Sequence, residues 1–378
     1  MKKIILLISL YGMLFSNCAF AKTTAPASNQ RGNSCTSVES CLPLANAGNS
    51  EAQLKLGEVY LQAMQANKIT PTDENLNNIY SWFKKPATEG FAKAQFHLGM
   101  YYFGIANRAN ACEETMEALP KVPKEQRRVI IGAIQSVFNS STHYDLYNPQ
   151  DIATICLNQK AKNLILAYYY DNAFNWFLKA ANQNDSDAQV NLAMMYSNGV
   201  GVDQDNAKAV RWFVRAADLG NDDAESNLGA MYASGRYFTQ NYNMAFYWFN
   251  KSAEHGNPQG QAQLATLYDQ GLGIPKDKNQ ALKWYKASAQ QGMPDSQATV
   301  GVMLAISDNQ SLPTLMEAYA WLNVAIAQNN DDSQGLDYTE IKKLRDDIYS
   351  QFTEAQKKQA DELSHKYWQR YVLGQKIS

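Results

Sequence analysis

Histidine, basic clusters and long apolar runs are all scarce in this chain. Its 378 residues hold only four histidines, and 34 Lys and Arg stand against 36 Asp and Glu for a formal net charge of −2. Proteins that grip nucleic acid present a basic domain or stripe to the phosphates; the sequence offers neither, so no nucleic-acid partner is expected. The histidines His97, His143, His255 and His365 form no His-x-x-x-His pair, and no cysteine pair has zinc spacing, so neither a metal nor another cofactor is expected. The longest apolar run, Ile4–Ser16, is shorter than the about 20 residues a spanning helix needs.

That run has a different meaning. Lys2 and Lys3 precede it, and Ala19-Phe20-Ala21 follows, with small residues at the −3 and −1 positions of a cleavage site. Residues 1–21 therefore read as a signal peptide cut before Lys22, which predicts a periplasmic or secreted protein with no stable membrane insertion after cleavage. Phe15-Ser16-Asn17 is a poor approach to a lipidated Cys18. Cleavage removes two lysines and no acid, so the formal charge moves from −2 to −4. The mature chain keeps Cys35, Cys41, Cys112 and Cys156. An even number in an exported chain favours disulfides. Sequence order favours Cys35–Cys41 with Cys112–Cys156 among three connectivities, and four buried thiols are the alternative. If Cys41 is helical, Cys35 must lie outside that helix, because six helical residues separate Cα atoms by about 9 Å.

Tryptophan reveals the organisation. Trp176, Trp212, Trp248, Trp284 and Trp321 are spaced by 36, 36, 36 and 37 residues. Leu192, Leu228, Leu264 and Val300 keep the same step, as do Tyr196, Tyr232 and Tyr268, and Gly199, Gly235 and Gly271. Within a block, Ala188, Leu192, Ala193 and Tyr196 fall on one helical face, helix A, and Ala209, Trp212, Phe213 and Ala216-Ala217 make a second, helix B. Glycines stand just past the predicted helix ends, and Pro258 and Pro294 where new helices begin. The small Ala193 and Gly229 let helix B approach helix A, and the aromatic register reads as core before ligand box.

Trp82 precedes Trp176 by 94 residues, one period plus 58. The excess maps to an insertion over residues 104–162, which contains Cys112, Cys156 and a basic run from Lys121 to Arg128. Such a length predicts internal helices clamped by a Cys112–Cys156 bridge. It is read either as a covering loop or as a specificity element. Ser37–Ala47 opens the array as a helix B. At the other end, Ile341, Leu344, Ile348 and Phe352 form a stripe, and Thr353 with Gln356 a capping box, marking a polar-sided C-terminal cap. The organisation is thus a signal peptide (1–21), a flexible segment (22–35), N-terminal repeats (36–103), the insertion (104–162), C-terminal repeats (163–330) and cap helices (331–378).

The block from Asp187 to Asn221, with its leucine followed by glycine or alanine, its tyrosine three residues on, its Gly-x-Gly turn and its Ala-x-x-Trp-Phe helix, resembles the Sel-one-like repeat (SLR), a relative of the tetratricopeptide repeat. The resemblance implies an all-α fold: a right-handed α/α superhelical solenoid of about six 36-residue helix-turn-helix repeats, with one inserted disulfide-clamped segment and a C-terminal helical cap. It further implies an adaptor in a bacterial envelope or host-interaction process. One block departs from the pattern, since Gly235-Arg236-Tyr237 has lost the second turn glycine.

No catalytic constellation emerges, so a non-enzymatic role is expected. Ser81-Trp82-Phe83-Lys84 fits Ser-x-x-Lys but lacks the companion motifs of such hydrolases. Some cysteine-rich SLR proteins are β-lactamase-like, with cysteine pairs in successive repeats; the span from Asp187 to Asn330 has no cysteine. A cell-wall or β-lactam-binding enzyme and a polysaccharide-handling protein stand as alternatives. The preferred reading is binding of a protein or peptide by helix A positions turned away from the aromatic stripe, Val190, Met194, Ser226, Ala230, Ala262 and Thr266, together with the insertion.

Overall fold

A computed structural model describes residue 35 and residues 37–65, 73–110, 159–235, 237–308, 310–328 and 338–374. The signal peptide and residues 111–158, including Cys112 and Cys156, lie outside the described residues. The chain divides into two compact units, Met1–Leu219 and Gly220–Ser378.

In the first unit, α1 (Val38–Asn46), α2 (Ser50–Gln65), α3 (Asp73–Thr88), α4 (Ala92–Asn110), α5 (Gln159–Ala181), α6 (Ser186–Asn198) and α7 (Asn206–Asp218) pack in succession, each of the first six on the helix that follows. In the second, α8 (Asp222–Ser234), α9 (Tyr242–Glu254), α10 (Pro258–Gln270), α11 (Lys278–Ala289), α12 (Pro294–Ala305) and α13 (Leu312–Gln328) do the same, and α14 (Tyr338–Ser350) and α15 (Glu354–Tyr367) close on α13. The described residues contain no strand, and the all-α repeat architecture stands. Helix α4 continues past Gly104 to Asn110 and α5 begins at Gln159, so helix runs over both predicted edges of the insertion.

Local chemistry explains the helix limits. Asp185, Asn221 and Asn257 cap helices A, and Asp205, Asn241 and Asp277 cap helices B, each accepting a backbone N–H of the first turn through its side chain. Pro258 and Pro294 occupy first-turn positions. At the far end of helix A, Gly199 adopts φ 65° as a left-handed C-cap, and Gly201, at φ 70°, lies so close to Tyr170 that a Cβ would stand 2.4 Å from the tyrosine Cβ. Where Tyr237 replaces that second glycine, Phe238 stacks on Tyr232 with ring centroids 4.3 Å apart.

The core differs from the tryptophan-centred expectation by one residue. Phe83, Phe177, Phe213 and Phe249, each just after a tryptophan of the series, are at most 1% exposed. Trp82, Trp176, Trp212, Trp248 and Trp284 are half-buried, and Trp321 alone of the series is buried. The buried phenylalanines press into glycines of the paired helix A: a Cβ on Gly57, Gly99 or Gly229 would stand 2.5 Å from the ring of Phe83, Phe177 or Phe249. The i, i+1 geometry explains the shift, since neighbouring helical positions differ by about 100° and only one can point straight at helix A.

Both ends are sealed. Cys35, outside α1, is bonded to Cys41, inside it, with Cα atoms 4.9 Å apart, and Ser37 forms a capping box with Ser40. At the C-terminus the Thr353–Gln356 capping box forms. Tyr371, from a π-helical turn over Trp368–Val372, stacks on Trp321 at 5.2 Å. Tyr319 and Tyr349 donate their hydroxyls to opposite oxygens of Asp361 at 2.7 and 2.8 Å. Burial and that carboxylate hold the Tyr319 hydroxyl well above its ordinary pKa.

The glycine notch yields a direct test. Phe249→Ala should lower stability by about 3–5 kcal/mol and Gly229→Ala by about 1–3 kcal/mol through overpacking, whereas Trp248→Ala, at a half-buried site, should cost less than Phe249→Ala; urea melts of the three variants check the order.

Candidate binding surface

In the first unit, Val190 is 6% exposed and Met194 half-buried; in the second, Ser226 is 6% exposed, Ala262 and Thr266 are half-buried and Ala230 is exposed. The pattern follows from packing, because consecutive helices A touch, α4 with α6 and α8 with α10. Val190 and Ser226, one turn into their helices, are buried. The next turn, carrying Met194, Ala230 and Thr266, is more open. Thr266 is also engaged internally: its hydroxyl reaches Ala262 O at 3.0 Å and the Tyr285 hydroxyl at 2.9 Å.

Beside this face runs a series of polar rungs that the sequence reading did not single out. Gln53, Gln95, Gln189, Gln261 and Gln297 each donate Nε2 to an alanine carbonyl eight residues back, in the preceding helix B, at 3.0 to 3.3 Å. A second glutamine, from the turn after the following helix B or the end of that helix, then donates to the first one's Oε1: Gln183 to Gln95, Gln291 to Gln261 and Gln328 to Gln297, at 2.6 to 2.9 Å. The signal was present in the register, as Gln189, Glu225, Gln261 and Gln297 at steps of 36 residues and Gln183, Leu219, His255 and Gln291 at the same step.

Two rungs depart from the rule, each in a chemically consistent way. Leu219 supplies no donor, and the buried Gln189 Oε1 is left without a hydrogen-bond partner. At the next block Glu225 replaces glutamine, and His255 replaces its donor. The fully buried carboxylate meets His255 Nδ1 at 2.7 Å and forms an ion pair with Lys251 Nζ at 3.0 Å. A carboxylate accepts only, so His255 Nδ1 must carry the hydrogen.

His97 is a buried group of another kind. Its ring stacks on Phe83 at 4.5 Å; Nε2 has no hydrogen-bond partner, and Glu58 Oε1 stands 4.0 Å away. Burial, assisted by the charge of Lys93, pushes its pKa down to about 3. Ser81 and Lys84 are exposed on α3, and the Ser81 hydroxyl donates to Asn78 O at 2.6 Å within its own helix. Among the described residues no three metal-ligating side chains converge, and no helix is long and apolar enough to cross a membrane.

The Sel1 repeat profile matches residues 92–107, 165–185, 186–221, 222–257 and 258–293. No curated protein matches the chain. Among solved structures it is similar to a Sel1 repeat protein from Oxalobacter formigenes, at 34% identity over 33% of this chain and 93% of that one, with a TM-score of 0.32. It is also similar to a protective antigen of uropathogenic Escherichia coli displaying an SLR fold (20% identity, 89% and 96% covered, TM-score 0.35). An immunity protein from Pseudomonas aeruginosa matches at 16% identity, with 70% and 92% covered and a TM-score of 0.34.

The rungs and His97 predict three stability changes. Leu219→Gln should complete the Gln189 rung and stabilise by about 1 kcal/mol. Removing both partners of the buried Glu225 with Lys251→Ala and His255→Ala should cost about 3–5 kcal/mol, and adding Glu225→Gln should recover part of that loss. His97 gives a pH dependence: the unfolded chain binds the proton near pH 6.5 and the folded chain only near about 3, so stability is full above 6.5 and falls as pH drops between these values. At pH 5 the loss is about 2 kcal/mol, and the acid limb of a denaturation series should flatten in His97→Leu.

Proposed function

We propose, from the premise that the chain belongs to the Sel1 repeat family, that it is an exported adaptor which holds a protein or peptide on the helix A side of its repeats. Proteins of this family are helical scaffolds for protein–protein contact, and the stacked helix hairpins provide such a scaffold here. The observation that carries the finer reading is the composition of the helices A in the second unit. Apart from the buried Glu225, helices α8, α10 and α12 of the second unit contain Asp222, Asp223, Asp269 and Asp295 but not one lysine or arginine. Their second turn presents the exposed Ala230 and the half-buried Thr266, both small.

A surface of that kind accommodates a neutral or basic segment and disfavours an acidic one. The exported location rests on the Lys2-Lys3 start, the apolar run and the Ala19-Phe20-Ala21 site, and the Cys35–Cys41 bond suits an oxidising compartment. An envelope or host-facing process follows from that location. Residues 104–162 are assigned a share in partner choice because an insertion on a repeat scaffold commonly lies on the binding side.

The test uses the chain in its own cells. Intact mass from the envelope fraction should correspond to Lys22–Ser378 with Cys35 and Cys41 oxidised; a full-length product confined to the cytoplasm would refute export. A protein crosslinked to the mature chain should be lost from Met194→Arg and Ala230→Arg variants that keep their helical circular dichroism. Retention of the same crosslink in both variants would remove the helix A assignment.

A further inference from the structure

Helix α7 breaks a local rule on its exposed face. Lys208, Arg211 and Arg215 lie along one stripe at i, i+3 and i+7, with Val214, 37% exposed, beside them. Like charges one turn apart on a helix repel. Two of these residues have local reasons to be basic: Lys208 pairs with the N-cap Asp205 at 3.3 Å, and Arg215 lies in the last turn, where the helix dipole favours a cation. Arg211 has neither. Among the described residues, no carboxylate lies within ion-pair distance of either guanidinium. The stripe is particular to this repeat. The positions of Arg211 and Arg215 hold Tyr247 and Lys251 in α9, and Lys283 and Ala287 in α11.

The surroundings add to the charge. The Arg215 guanidinium rests 4.8 Å above the half-buried Trp212 ring, which restrains it and limits the entropy lost on engagement. Arginine, tryptophan and an exposed aliphatic side chain together have the composition of an interface hot spot. A guanidinium fork matches a carboxylate bidentately. On one helix, Arg211 and Arg215 are spaced to meet two carboxylates one turn apart on another.

We infer that the outer face of α7 is a second contact surface, separate from helix A, and that its occupant is an acidic helical segment of a partner protein, with carboxylates at i and i+4 against Arg211 and Arg215 and an apolar side chain on Val214.

The experiment uses the mature chain and a fluorescein-labelled helical peptide with glutamates at i, i+4 and i+7 and a leucine at i+3, read by anisotropy across a salt series. A second peptide carries lysines in place of the glutamates, and anionic phospholipid vesicles form a third probe. The acidic peptide should bind at low salt, and Arg211→Glu should weaken it by about tenfold or more while the melting temperature stays level or rises, because opposite charges then stand at i and i+4. The double reversal Arg211→Glu with Arg215→Glu should lose the acidic peptide and gain the lysine peptide. Equal binding by wild type and both variants, no binding of the acidic peptide, or binding of vesicles without the peptide would each overturn the inference.

Discussion

Everything in this structure depends on how closely helix B approaches helix A. Phe83, Phe177 and Phe249 each press against a glycine of the helix before them, where any side chain would collide with the ring. That contact fixes the spacing of the two helices within a repeat, and spacing in turn fixes which positions are covered when the next helix A arrives. Val190 and Ser226 are buried and Ala230 is exposed. The accessible surface is therefore a remainder left by packing, and residues one turn apart on the same helix can differ entirely in what they offer a partner.

Above the apolar contact lies a polar one with a different logic. Van der Waals packing tolerates substitutions of similar volume, but a buried amide needs a partner of the right hydrogen-bonding sense. The rungs show this in detail. Glutamine to glutamine is the prevailing arrangement; when the first member becomes Glu225 the second becomes His255, which can present a hydrogen to it, and when the second becomes Leu219 an oxygen of Gln189 is left unpaired.

Much of the fold could be read from the chain, and for definite reasons. Period, helix limits and the C-terminal cap depend on local or strictly recurrent features: tryptophan spacing, Asn and Asp caps, glycine turns, and the Thr353–Gln356 box. The readings that shifted depended on direction in space. The tryptophans mark the period most visibly, yet the core aromatic is their neighbour, because one residue of helix is a rotation of about 100°. Likewise the six helix A positions fall in two sequence registers but do not share an exposure within either: Val190 and Ser226 are buried where Ala262 is half-buried, and Ala230 is exposed where Met194 and Thr266 are half-buried. The glutamine rungs were written in the same period, but a polar residue on an amphipathic helix gives no sign, by sequence alone, of being buried and paired.

Three rung positions lie within single matched blocks: Gln189 and Leu219 within 186–221, Glu225 and His255 within 222–257, Gln261 and Gln291 within 258–293. A duplication that copies a whole block carries both halves of its rung with it. The unusual Glu225–His255 pair would travel intact, whereas a recombination event that cut between its members would strand a carboxylate without its donor. Gene rearrangement can lengthen or shorten such an array by whole blocks with little structural penalty, and the chemistry of the rung itself marks where the joints between heritable modules fall.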